Sequence, residues 1–177
     1  MIYGLVGKKR SGKDECASIF IKHGFKQYAF ADPIKEISKI IFSFTDDQLF
    51  GESKEDVDDT WKIKPRDTFQ FIGTDAMRNT LSARFPHIGK NIWIKHLQLR
   101  LERTTDDVIV SDIRYQNELD MIKQLGGKIY KVQRTGMELH DSHESESGID
   151  DLHGIDAIIE NDKSLDDLHM KVEYILR

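Results

Sequence analysis

The sequence predicts an α/β fold, a parallel five-stranded sheet flanked by helices, with an α-helical insertion set on it. Three observations point there. Short apolar runs alternate along the chain with segments of helical period. The block 32–103 carries helical patterns and no strong strand signal. A glycine-bounded basic turn joins the first apolar run to the first helical one.

Residues 2–6 (IYGLV) form a short apolar run that stops at Gly7, the pattern of a buried strand. Residues 13–23 follow as a helix, with Cys16, Ile19 and Phe20 on one face. Tyr28 to Ala31 fits a second short strand. Asp32-Pro33 reads as a helix start, because aspartate can cap and proline suits the first turn. Ile34, Ile37, Ile40 and Ile41 then recur at helical spacing. Residues 51–65 are charged and aperiodic, which predicts loop. Residues 66–85 read as a helix with a break at Gly73. Residues 91–103 read as another, with Ile94, Leu97 and Leu101 on one face. Asp107 to Ser111 (DVIVS) is a buried strand, 117–125 a helix, Gly126-Gly127 its stop, and Ile129 to Val132 a strand. Residues 135–153 are polar and rich in His, Ser and acid, which predicts a mobile segment. Ile155 to Glu160 is the last strand. Ser164 to Leu176 closes as a helix with Leu165, Leu168, Val172 and Ile175 on one face.

At 177 residues the chain fits one domain, at most with an inserted subdomain. Its 38% hydrophobic and 32% charged residues supply a core and exclude collagen-like, disordered and disulfide-scaffold classes. Cys16 is the one cysteine, so no intrachain disulfide forms and a reducing, cytoplasmic setting is expected. Runs such as Val108-Ile109-Val110 are too short to span a bilayer, so no membrane partner is expected. The apolar run 2–6 precedes the basic one 8–10, the reverse of a signal peptide. The net charge of −5 argues against a nucleic-acid partner and makes a local basic cluster informative.

That cluster is Gly7-Lys8-Lys9-Arg10-Ser11-Gly12-Lys13-Asp14, a G-x4-G-K pattern between a predicted strand and a predicted helix. Small residues let backbone N–H groups curl around phosphate oxygens, and the helix presents its positive end. Lys13 would reach the β and γ phosphates, with Arg10 adding positive charge. Asp14 replaces the usual Ser or Thr, whose hydroxyl binds Mg²⁺. A carboxylate beside phosphate is repulsive unless a cation lies between, so Asp14 reads as a Mg²⁺ ligand, set against a dipole-favoured helix-start acid.

Asp112 and Arg114 follow the strand 107–111. A carboxylate at the carboxyl end of a parallel strand faces the ligand crevice, where Asp112 would hold metal or orient an acceptor. Arg114 suits bidentate phosphate binding. The plainer alternatives are a capping Asp and a solvated Arg.

Several segments in order then resemble one family. They are residues 7–14 (GKKRSGKD), 31–36 (ADPIKE), P-R-x-x-x-Q-x-x-G-T-D at 65–75, W-x-K at 93–95 and S-D-I-R-x-x-N-E at 111–118. V-x-R at 132–134, H-x-S-E at 143–146 and E-N-D-x-S-L-D-D-L at 160–168 complete the set. The chain is similar to the deoxynucleoside monophosphate kinases of tailed bacteriophages and other large DNA viruses. The resemblance implies a P-loop NTPase fold of the nucleoside monophosphate kinase type, with transfer of the ATP γ-phosphate to a deoxynucleoside monophosphate (dNMP) and Mg²⁺ as cofactor. It implies that 32–103 is the NMP-binding subdomain and 135–153 the lid. It puts residues 7–14 on the ATP phosphates and Asn161 and Asp162 near the adenine. Lys35, Arg66, Gly73, Thr74, Asp75, Trp93, Asp112, Arg114 and Glu118 become the monophosphate site, and Arg134 opens the lid. It also admits a homodimer. Thr135 and Lys163 depart from the family pattern, where proline and glycine are frequent.

The chemistry agrees, since phosphoryl transfer needs positioning and charge neutralisation, which Lys13, Arg10, Arg114 and Arg134 can supply. Gln70 can read a base edge. Trp93 can pack in a core or stack on a base. Lys35 divides between solvent and phosphate, and Arg66 is favoured over Arg78 for substrate. The run His140-Asp141-Ser142-His143-Glu144 fits a solvated lid face better than zinc. Two alternatives stay open: a kinase for another phosphorylated metabolite such as dephospho-coenzyme A, and an ATP-binding protein without turnover.

Overall fold

The structure is a computed structural model that describes residues 1–134 and 148–177. Five strands, β1 (Ile2–Val6), β2 (Lys26–Tyr28), β3 (Val108–Ile113), β4 (Lys128–Gln133) and β5 (Ala157–Glu160), form one sheet in the order β2-β3-β1-β4-β5. Every neighbouring pair is parallel. The chain divides into two compact units, Met1–Ala29 with Leu97–Arg177, and Phe30–His96. Residues 97–103 fall in the first.

In the first unit, α1 (Lys13–Lys22) and the last helix, α8 (Leu165–Ile175), cover one sheet face. Tyr3, Leu5, Ile109 and Val132 from the strands meet Phe20, Leu168 and Val172 from the helices. Tyr3 and Phe25 pack on Phe20 at ring-centroid distances of 5.2 and 5.4 Å. Each fully buried side chain of this size contributes about 1.5–3 kcal/mol. On the opposite face Ile113 and Ile129 close over Gly4 together with Ile122 of α7 (Gln116–Gln124). The helix starts follow local chemistry: Ser164 caps α8 by accepting the Asp167 N–H.

The second unit holds α2 (Asp32–Phe42), α3 (Asp46–Phe50), a 3₁₀ turn at Glu52–Glu55, and a long helical stretch. That stretch begins as α4 (Pro65–Gln70), continues as a π-helix over Phe71–Leu81 and ends as α5 (Ser82–Arg84). The helix α6 spans Ile92–Leu101. Among the described residues no helix is long and apolar enough to cross a membrane.

Several local expectations change. The second strand is Lys26–Tyr28, not 28–31, because Asp107 O and β3 accept its polar edge while Phe30 turns inward at the entry to α2. Asp32 does not cap; Ala31 holds the N-cap position, and Pro33 lies in the first turn. α2 buries Pro33, Ile34 and Ser38, whereas Ile40 and Ile41 face outward. Residues 51–65 are not all loop, and Thr45 starts α3 through a capping box with Gln48. Gly73 does not break its helix; the backbone continues in π register. Of the expected lid 135–153, residues 135–147 lie outside the described residues, and Gly148–Asp151 form a 3₁₀ turn.

Candidate active site

All five strands run parallel, so their carboxyl ends share one edge of the sheet. The order places β1 between β3 and β4, so the chain leaves β1 to one side for β2 and β3 and to the other for β4 and β5. Ligands of open α/β sheets bind at such a switch point. The predicted residues of the first unit fall on this edge: 7–14 after β1, Asp112 and Arg114 at β3, Arg134 after β4, and Asn161 after β5.

The loop 7–14 turns tightly between β1 and α1. Arg10 has φ 64° and Gly12 φ 103°, so the backbone turns through left-handed conformations before α1 starts at Lys13. Ser11 N–H closes the turn onto Lys8 O at 3.1 Å. Ser11 is 4% exposed, and its hydroxyl has no hydrogen-bond partner among the described residues. An orphaned donor in such a turn fits a phosphate oxygen. Lys13 Nζ folds back onto Gly7 O, and onto Lys8 O at 3.1 Å, over the turn. Lys9, Arg10 and Asp14 are exposed. Glu15 Oε1 lies 2.6 Å from His169 Nε2, which ties the first turn of α1 to α8.

Asp112 lies within β3 and not beyond it. Between Gly4 and Val6 the register on β3 advances from Val110 to Ile113, so one extra residue is accommodated at Ser111-Asp112. Such bulges re-aim side chains beside active sites. Gln27 Nε2 donates to Ser111 Oγ at 2.7 Å and steadies the kink. Asp112 and Arg114 are half-buried. Glu118 is buried, and its Oε2 accepts the Arg114 and Tyr115 N–H groups at 2.9 and 3.2 Å. It therefore fixes the backbone that carries Arg114. Asp162 pairs with Lys171 at 2.9 Å, and the Lys171 ammonium holds its carboxyl below the ordinary aspartate value. Arg134 is exposed.

In the second unit, Arg66 lies in the first turn of α4 and rests on Glu55 Oε1 at 3.1–3.2 Å. Gln70 and Thr74 are half-buried, and Asp75 is exposed. Gly73, Thr74 and Asp75 lie in the π-helix, a geometry common at functional sites. Trp93 is 5% exposed and donates its indole N–H to Gly73 O at 2.9 Å. That places it as a packing residue holding the Gly73 backbone. Lys35 Nζ stands 4.3 Å over the Phe50 ring.

The burial of Arg78 and two contacts, made by Asp150 and Asn161, are not legible in the sequence. Arg78, less favoured than Arg66 for a substrate role, is 6% exposed. It lies five residues after Gly73, one π-turn on, a register that a 3.6-residue period does not reveal. Asp150 joins Lys8 of the loop (2.5 Å) to Lys131 of β4 (2.9 Å), and these lysines hold its carboxyl below the ordinary value. Asn161 reaches the loop from the far end of the chain, its Nδ2 donating to Ser11 O at 3.0 Å. Nothing short-range announces either contact.

Among the described residues no three His, Cys, Asp or Glu side chains cluster as a metal cage. Two carboxylates, Asp14 and Asp112, on the sheet edge where open α/β folds take ligands, fit Mg²⁺, which binds through one or two carboxylates plus phosphate oxygens. Cys16 is fully buried, and that burial, with Glu15 beside it, pushes its thiol up to about 12. The residues His140, His143 and Glu144 lie outside the described residues.

A family model described as deoxynucleotide monophosphate kinase matches residues 39–172. A protein of Acanthamoeba polyphaga mimivirus, provisionally designated a deoxynucleotide monophosphate kinase, is 36% identical, over 97% of this chain and 94% of its own length. The deoxynucleotide monophosphate kinase of Escherichia phage RB69 is 32% identical over 73% of this chain. The match spans about half (51%) of that longer phage relative. Among solved structures, the dephospho-CoA kinase of Campylobacter jejuni superposes with a TM-score of 0.51 at 18% identity, over 99% of this chain and 95% of its own. That likeness is one of fold.

Proposed function

The chain belongs to the deoxynucleotide monophosphate kinase family, and from that premise we propose that it transfers the γ-phosphate of ATP to a dNMP, giving the diphosphate and ADP. The observation that carries the reading is the loop 7–14, with its left-handed turns, orphaned Ser11 hydroxyl and Lys13, at the sheet's switch point. Residues 7–14 hold the phosphates of ATP, with Asp162 at the nucleoside end of the loop region. Arg114 and Arg134 take the acceptor phosphate, and Asp112 orients it. In the second unit Lys35, Arg66, Gln70, Gly73, Thr74 and Asp75 are the candidates for holding the monophosphate. Trp93 acts there through Gly73, and Glu118 acts through Arg114.

The acceptor phosphate is already anionic, so no strong general base is needed. One of its oxygens attacks the γ-phosphorus in line, the bond to the β-phosphate oxygen breaks, and ADP leaves. Lys13, Arg10, Arg114 and Arg134 stabilise the charge spread over the transferring group. Asp14 and Asp112 would hold Mg²⁺, whose charge neutralises the phosphates when bound. Closure over 135–153, the proposed lid, would exclude water and suppress hydrolysis.

A coupled ADP-release assay with ATP and Mg²⁺ tests this, with each dNMP, each matching ribonucleotide and dephospho-coenzyme A added singly. ADP release that depends on one or more dNMPs is expected. Release with dephospho-coenzyme A alone would move the acceptor to another class. No acceptor-dependent release would leave an ATP-binding protein.

A further inference from the structure

We infer that Asn161 is a positioning residue for the phosphate loop, acting through the Ser11–Gly12 peptide; this rests on the proposed role of residues 7–14 in binding the phosphates of ATP. The family resemblance puts Asn161 beside the adenine, so the inference gives it a different function.

Asn161 is itself held firmly. Its backbone N–H donates to Gln133 O at 2.7 Å, which continues the β4–β5 ladder by one residue beyond Glu160. Its side chain then reaches back across the chain, and Nδ2 donates to Ser11 O at 3.0 Å. The space it occupies exists because residue 12 is glycine. A Cβ there would lie 2.6 Å from Nδ2, with Leu168 Cδ2 of α8 at 3.5 Å from the same point. The amide is therefore packed directly against the loop backbone.

The consequence follows from peptide geometry. The Ser11–Gly12 unit is planar and trans, so its carbonyl and its N–H point in opposite directions. Holding Ser11 O toward Asn161 turns the Gly12 N–H away from Asn161. The same hydrogen bond fixes the residue whose hydroxyl is the orphan: Ser11 is 4% exposed and its Oγ is unpartnered among the described residues. A buried, unpartnered donor costs free energy unless a ligand takes it. Asn161 thus sets the direction of two donors offered to phosphate without touching phosphate itself.

The two roles separate in a binding experiment with Mg²⁺–ATP and Mg²⁺–tripolyphosphate, measured by calorimetry on the full chain. Tripolyphosphate has the phosphates and lacks the base. Asn161→Ala and the near-isosteric Asn161→Leu should weaken both ligands by the same factor, about fivefold to tenfold, the counterpart of one net hydrogen bond. The KM for ATP should rise by a like factor with kcat retained. Asn161→Ser, which keeps a shorter donor, should lose less and guards against a variant that fails to fold. A loss confined to ATP would overturn the inference and return Asn161 to the base. Lower melting temperatures with both affinities unchanged would overturn it too, leaving a purely structural contact. Failure of the wild-type chain to bind tripolyphosphate would instead remove the phosphate role of the loop.

Discussion

Gly12→Ala tests whether the loop and the residue after β5 are interlocked. The added Cβ meets two separate penalties. The first is backbone: φ is 103°, where an L side chain costs about 1–2 kcal/mol. The second is collision: the Cβ would stand 2.6 Å from Asn161 Nδ2, far inside the ~3.5–4.0 Å at which carbon contacts are favourable. Relief requires the amide to swing off Ser11 O, which forfeits a hydrogen bond of about 0.5–1.5 kcal/mol. The combined loss is about 1.5–3.5 kcal/mol, or roughly 3–14 °C in melting temperature for a chain of this size.

Gly24→Ala supplies the control. Its φ is 88°, yet nothing lies within 4 Å of its Cβ position. It carries the backbone penalty alone, about 1–2 kcal/mol. Thermal unfolding of both variants, and of each in an Asn161→Ala background, isolates the collision. Without the amide, Gly12→Ala should cost no more than Gly24→Ala, a coupling expected only of residues in contact. Equal losses for the two glycine variants in the wild-type background would refute the interlock.

Three further outcomes are expected. Lys13→Ala should lower dNMP-dependent turnover by about a hundredfold or more while leaving cooperative melting intact, because it removes charge from the transferring group and no core contact. Trp93→Phe keeps the buried ring but strips the Gly73 carbonyl of its indole donor, for a loss of about 1–2 kcal/mol in denaturant unfolding. Acid should destabilise the fold. Lys8 and then Lys131 lower the Asp150 carboxyl, and Asp58 is lowered first by the Trp61 N–H and then by Gln48. Carboxyls depressed in the folded state contribute stability above their unfolded values and lose it as pH falls through the folded ones. The melting temperature should therefore hold from neutrality to about pH 4 and fall below it; an unchanged value at pH 3 would contradict these assignments.

The elements that run inside the sheet could be read from sequence because both their faces are buried. β1 and the start of β3 (Val108 to Val110) are apolar runs buried on both faces, while β4 is mixed, with Ile129, Tyr130 and Val132 buried and Lys131 half-buried, and is announced by the Gly126-Gly127 stop before it. β2 escaped for the opposite reason. Among the described residues it is an edge strand paired with β3 alone, so Lys26 and Gln27 can stay polar, and the apolar Ala29-Phe30-Ala31 beside it reads more like a strand. The stretch Phe71–Leu81 was recognised as helical but not as π, since its burial of Ile72, Gly73 and Arg78 fits no 3.6-residue stripe. Arg78 accordingly looked like a surface charge.

The candidate site divides along the same line. The loop 7–14 is contiguous, so its chemistry is written in eight adjacent letters. What holds it is not contiguous. Asn161 and Asp150 reach it, and His169 reaches Glu15 just after it, from more than a hundred residues away, each through a polar contact that no spacing signals. Yet the glycine that the motif requires is also the glycine that makes room for Asn161. A motif position can thus be held by two demands at once, close approach of the ligand and close approach of the fold. Substitutions at Gly12 need the paired Asn161 background before their effect can be assigned to phosphate binding.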